Sequence, residues 1–383
     1  MKPEAIEHQL PAVVFAGGGT GGHLFPGVAI AEVLRARRPL RPIVFACSER
    51  EIDARILEKQ TLAGEPVVFR TNPGKPFGLR PATLLRFVRA WGGAVRQGRG
   101  LIRELRAAAG GERPIVVAMG GFVAAPLVQA ARAERCRILM MNLDAVPGRA
   151  NRWISRHADR ILTTANVPDC DWTRIKPLVR SQARWGGTRG EARQRLGLDP
   201  SRPTLFITGA SQGSKSINRF LIELVGRSGA EFRDWQIIHQ TGPTEAPEAR
   251  AAYAGAGVPA VVEPFFDVMA PCWGAADCAV ARAGAGSVSE AWANGVPTLF
   301  MPYPFHADQH QLANAAELVD GGAAVVAEDL VEPGRHLDGA AGLGLMALLR
   351  DEGRRDQLRR GLAALGPVDG AERVADVIEM LGG

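Results

Sequence analysis

At 383 residues, with 46% hydrophobic and 22% charged side chains, the chain is long enough for two domains with separate cores and too apolar for intrinsic disorder. Five cysteines, an odd number without a C-x-x-C pair, argue against a disulfide framework or a cysteine zinc site and fit a reducing cytoplasm; no secretory leader or membrane-spanning run is expected. The net charge of +6 fits an anionic partner, with nucleic acid, phospholipid headgroups and a diphosphate substrate all open.

In chain order, residues 11–16 form a β-prone run, 17–22 a glycine loop and 26–38 a helical pattern. Strands are expected at 43–46, 115–118 and 138–141. Residues 75–106 set eight basic residues against the single acid Glu104, interleaved with Phe77, Phe87 and Trp91. That mixture suits either a membrane-facing surface or a solvated amphipathic helix. After residues 160–164 the pattern becomes irregular, and 184–190 marks a domain boundary. Alternation then restarts with a strand at 204–208, a glycine loop at 209–213 and a helix at 216–225, followed by strands at 235–239, 260–262, 278–281 and 298–301. Strands separated by helices imply crossover connections and parallel sheets. The expected domains are 1–183 and 184–365, with a C-terminal helix over 366–383 whose return to the first domain is left open.

Three glycine loops follow strands: Gly17 to Gly27, with Thr20, Gly21, Gly22 and His23; Ala118 to Pro126, with Gly120 and Gly121; and Gly209 to Ser214, with Ser211 and Gln212. Each suits either an anion cradle of backbone N–H groups or close helix–sheet packing. Together they fit diphosphates on two substrates. His23 is a candidate base for a sugar hydroxyl, or a structural histidine. In residues 281–297, Ser287, Ser289 and Glu290 open a helix, where the carboxylate either binds a ribose or caps the helix. Residues 302–315 supply His306, Asp308, His310, Gln311 and Asn314, all able to bond sugar hydroxyls, at a spacing that does not favour a metal site.

Taken together, GGTGGH (18–23), MGGF (119–122), SQG (211–213), AGAGSVSE (283–290) and DQHQLANA (308–315) resemble the MurG-like glycosyltransferases of the GT-B type, in the family's order and across almost the whole chain. The resemblance implies an α/β fold of two Rossmann-like parallel-sheet domains facing each other across a cleft. It implies inverting transfer of N-acetylglucosamine from UDP-N-acetylglucosamine to a lipid-linked muramoyl-pentapeptide diphosphate, by a peripheral protein on the cytoplasmic face of the membrane. No cofactor, metal or nucleic acid is implied. By position, Glu290 would bind the ribose, Ala285, Gly286 and Ser287 would lie along the donor diphosphate, and Ser211, Gln212 and Arg189 would face the phosphates. His310, Gln311 and Asn314 would hold the sugar, while Thr20, Gly21, Gly22, Gly120 and Gly121 would meet the acceptor diphosphate. The chain departs from the family where His-Glu-Gln-Asn is usual: it has Met141, Asn142, Leu143 and Asp144, so Asp144 joins His23 as a candidate base. A UDP-sugar epimerase or hydrolase, a transferase with another acceptor, and a non-catalytic UDP-sugar sensor are the alternatives.

Overall fold

A computed structural model describes residues 10–18, 21–49, 53, 57, 67–70, 81–210, 213–305 and 309–382. The chain folds as two compact units, Met1–Arg180 with Asp369–Gly383, and Ser181–Val368.

The first unit is a seven-stranded parallel sheet in the order β3-β2-β1-β4-β5-β6-β7. Its strands are β1 Val13–Gly17, β2 Ile43–Cys47, β3 Val67–Arg70, β4 Ile115–Gly120, β5 Arg137–Asn142, β6 Arg160–Thr163 and β7 Thr173–Arg174. Both faces are covered, so β1 is apolar at every position but its terminal glycine. Val13 and Phe15 enter one core cluster, Val14 and Ala16 the other. The helix Gly370–Gly382 belongs to this unit: Val374 and Ile378 are fully buried in the first cluster, and Arg37 reaches Asp376 at 2.8 Å. Burying each of those two side chains contributes about 1.5–3 kcal/mol.

The second unit is a six-stranded parallel sheet in the order β10-β9-β8-β11-β12-β13. Here β8 is Thr204–Thr208, β9 Gln236–Gln240, β10 Ala260–Glu263, β11 Cys278–Ala281, β12 Thr298–Phe300 and β13 Val325–Val326. A buried polar chain crosses this unit. His239 meets the Tyr253 hydroxyl at 2.7 Å and Asn218 Oδ1 at 3.0 Å, and Asn218 donates to Glu245 at 2.6 Å.

Strand order reverses beside β1 in the first sheet and beside β8 in the second. A doubly wound sheet opens a crevice at the carboxyl ends of strands at such a point. The pairs β1/β4 and β8/β11 therefore mark where each unit can take a ligand.

Candidate functional site

In the first unit the reversal sets two glycine turns side by side. The β1–β4 register shifts at Ala16/Gly17 so that Gly17 pairs with Gly120. Gly21 and Gly22, expected in the loop, already belong to the helix Gly21–Arg37, and His23 lies in its first turn. Thr20 lies outside the described residues. Gly120 (φ 103°) and Gly121 (φ 79°) occupy the left-handed region. A Cβ at Gly120 would stand 3.2 Å from His23 Nε2 and 3.1 Å from Asn151 Oδ1, so a side chain there would crowd the histidine.

Burial lowers the pKa of His23 below its ordinary 6.5, partly offset by the charge of Asp144, a hydrogen bond with the Gly18 backbone and the charge of Asp53. The imidazole is therefore neutral at pH 7 and able to accept a proton. His23, Gly121 and Asp144 line one cavity of about 840 Å³, whose other walls include Phe87, Trp91, Phe122 and Trp153, with Arg132 and Arg149. Trp91 meets the Trp153 ring edge-on at 6.4 Å and donates to Gln129 at 2.6 Å. At the departure from the family motif, Met141 is fully buried in the core. Asn142 donates to the Asp144 carbonyl at 2.7 Å and accepts from Asn151 at 3.1 Å, which holds the turn bearing Asp144.

The basic stretch falls on the helix Pro81–Ala108. Arg99 and Arg103 both reach Glu134, at 2.7 and 2.9 Å, so two of its cations are partly neutralised within the protein. Lys75 and Arg80 lie outside the described residues.

In the second unit, Ser211 and Gln212 also lie outside them. The next residue is Gly213 (φ 72°), where a Cβ would fall 2.0 Å from the Thr241 carbonyl oxygen. After β11, Gly284 opens the helix Ala285–Ala293 without a side-chain cap. The N–H groups of Ala285, Gly286 and Ser287 thus have no acceptor within the helix, and open space surrounds Gly284 and Gly286. Glu290 is the sixth helical residue, beyond the first turn, so the capping alternative does not hold. Its carboxylate accepts from Trp273 Nε1 at 2.8 Å. His310 begins the helix His310–Asp320. In it, Gln311 accepts from the Tyr303 N–H at 2.9 Å and Asn314 donates to the Ala283 carbonyl at 3.4 Å, linking this helix to the segments after β12 and β11.

Arg189 is not brought to these loops. It lies 3.9 Å from Asp277, which immediately precedes β11 and accepts from Thr204 N at the start of β8. Strands of four and five residues separate that edge from the loops, on the order of 13–17 Å.

The sequence reading missed Gln240, which donates to the Ala210 carbonyl at 2.8 Å and accepts from Phe266 N at 3.2 Å, joining three strand ends. It also missed Arg282, whose partners are far away in sequence; neither leaves a short-range spacing to detect. Among the described residues no three His, Cys, Asp or Glu side chains are grouped to hold a metal, and no helix is long and apolar enough to cross a membrane.

The glycosyltransferase family 28 N-terminal domain matches residues 13–163 and the family's C-terminal domain matches residues 204–340. A curated protein of Desulforudis audaxviator (strain MP104C), named UDP-N-acetylglucosamine--N-acetylmuramyl-(pentapeptide) pyrophosphoryl-undecaprenol N-acetylglucosamine transferase, is 32% identical over 97% of this chain and 98% of its own. One of the same name from Geotalea uraniireducens (strain Rf4) is 31% identical over 95% and 96%. Among solved structures, MurG of Acinetobacter baumannii superposes with TM-score 0.72 at 24% identity, covering 97% of this chain and all of that one. A putative UDP-N-acetylglucosamine 2-epimerase of Listeria monocytogenes gives 0.65 at 12%, covering 96% of each, and shares the fold alone.

Proposed function

The chain belongs to glycosyltransferase family 28 and to the family of its curated N-acetylglucosaminyltransferase relatives, and from that premise we propose that it moves N-acetylglucosamine from UDP-N-acetylglucosamine to a lipid-linked muramoyl-pentapeptide diphosphate, the lipid I to lipid II step of peptidoglycan synthesis. The observation that carries the acceptor half is the cavity in which His23 and Asp144 stand at the edge of aromatic walls. A hydroxyl nucleophile needs a proton acceptor, and a lipid-borne substrate needs apolar surface beside it.

In this reading His23 or Asp144 takes the proton as the acceptor oxygen attacks the anomeric carbon, and the bond to UDP breaks with its electron pair leaving on the diphosphate. The open N-terminus of the helix Ala285–Ala293 receives the developing phosphate charge. Glu290 accepts from the ribose hydroxyls, and His310, Gln311 and Asn314 bond the sugar. The first unit takes the acceptor and the second the donor. Arg189 stays outside the donor site. The exposed arginines of the helix Pro81–Ala108 attach the protein peripherally to an anionic membrane surface, each contributing about 1 kcal/mol near the surface.

The test is the product itself: incubation with UDP-N-acetylglucosamine and a short-chain lipid acceptor gives a lipid one N-acetylhexosamine heavier, joined through the inverted anomer. A retained anomer overturns the displacement, and an unchanged lipid overturns the acceptor. Sedimentation with anionic vesicles that persists undiminished at high salt overturns the electrostatic attachment.

A further inference from the structure

Three segments leave neighbouring strand ends in the second unit, after β8, β11 and β12, and one guanidinium joins them. Arg282, only 7% exposed, donates to Ser214 Oγ at 2.7 Å and Ser216 Oγ at 2.9 Å, and to the carbonyl oxygens of Met301 at 2.8 Å and Pro302 at 3.2 Å. Ser214 caps the helix that follows the β8 loop, Arg282 itself leads into the helix bearing Glu290, and Pro302 leads into Tyr303, whose N–H holds Gln311. A buried cation bound only to neutral acceptors is costly. The compensating charge is Asp329, from the segment after β13, whose fully buried carboxylate lies 2.6 Å from Arg282 Nη1.

Asp329 is itself held in place. Ser216 Oγ donates to it at 2.6 Å, Val331 N at 2.8 Å, and His336 Nε2 stands 3.1 Å away. Although burial opposes ionisation, the contacts of His336 and Ser216 and the charge of Arg282 hold the carboxyl well below the usual carboxylate range. Asp329 and His336 are remote from every motif noted in the sequence. The carboxylate is fully buried, so it acts at the donor loops through Arg282 and Ser216 rather than by touching a ligand.

We propose that Asp329 is a positioning residue for the nucleotide-sugar donor: through Arg282 it fixes the relative placement of the three segments that carry the phosphate, ribose and sugar contacts. The inference rests on the donor half of the proposed function. Removing the carboxylate charge leaves Arg282 buried without its counter-ion, so the segments lose their common anchor while the reacting groups stay intact.

The experiment is calorimetric titration of UDP and steady-state kinetics on the full chain. Asp329→Asn should weaken UDP binding about tenfold and raise the donor KM in step, with kcat at saturating donor and the acceptor KM nearly unchanged. A merely structural role would lower the active fraction, and hence kcat, without moving the donor KM. Coupling supplies the second readout: the UDP-affinity loss in the Arg282→Met/Asp329→Asn double variant should fall well short of the sum of the two single losses, because the aspartate acts chiefly through the arginine. Should Asp329→Asn not fold, Ser216→Ala, which leaves both charges in place, should weaken UDP binding about threefold with kcat retained. UDP affinity at the wild-type level in Asp329→Asn, or losses that simply add in the double variant, overturns the role of Asp329. A wild-type protein that binds no UDP overturns the donor reading and this inference with it.

Discussion

Trp273 Nε1 donates to the Glu290 carboxylate at 2.8 Å, fixing one oxygen of a half-buried acid on the helix whose N-terminus is open to an anion. The indole is itself wedged edge-on against Phe206, 4.9 Å between centroids. Glu290→Ala should therefore raise the donor KM by the worth of hydrogen bonds to a charged group, about 1.5–3 kcal/mol or roughly 10- to 150-fold. Trp273→Phe, which keeps a ring but loses the N–H, should give a smaller rise. An unchanged donor KM in a folded Glu290→Ala removes the ribose role.

The two candidate bases separate by pH. Burial lowers the His23 pKa below 6.5 while Asp144 raises it. With His23 as base, kcat/KM falls only as pH drops through that lowered value, and Asp144→Asn moves the acidic limb still lower while retaining activity. With Asp144 as base, Asp144→Asn instead costs about 10²–10⁴-fold at every pH.

His239 gives stability a pH dependence of definite sign. Burial pushes its folded pKa down to about 3, against 6.5 when unfolded. Between those values the unfolded chain binds more protons, so the contribution is complete above 6.5 and is lost as pH falls toward 3. Tm should decline between pH 6.5 and 4.5, and the decline should be shallower in His239→Gln. Equal slopes would remove His239 as a cause.

Arg189 pairs with Asp277 at the amino ends of β8 and β11. Arg189→Ala should leave the donor KM within about twofold of wild type. A rise above tenfold would return Arg189 to the phosphates.

The alternation of strand and helix was legible because the buried parallel strands are nearly continuous apolar runs; residues 204–208 and 278–281 form strands with the expected bounds. Four strands were not named: Val67–Arg70, Arg160–Thr163, Thr173–Arg174 and Val325–Val326 are four residues or fewer, and three of them carry an arginine or threonine that breaks the apolar run. Glycines at 21 and 22 read as loop because their intrinsic helix propensity is poor, yet they open a helix beside a second glycine turn. The glycine turns and Glu290 stood out locally as site candidates. Arg282 with Asp329, and Gln240 with Phe266, did not, because tertiary pairing alone brings them together.

The most direct measurement is UDP release from UDP-N-acetylglucosamine, with and without a short-chain muramoyl-pentapeptide diphospholipid, in wild type and His23→Ala side by side. The transferase account predicts release only with the lipid, and, with His23 as the base, its loss in His23→Ala. Release without lipid, or tight UDP binding with no release under either condition, would contradict it.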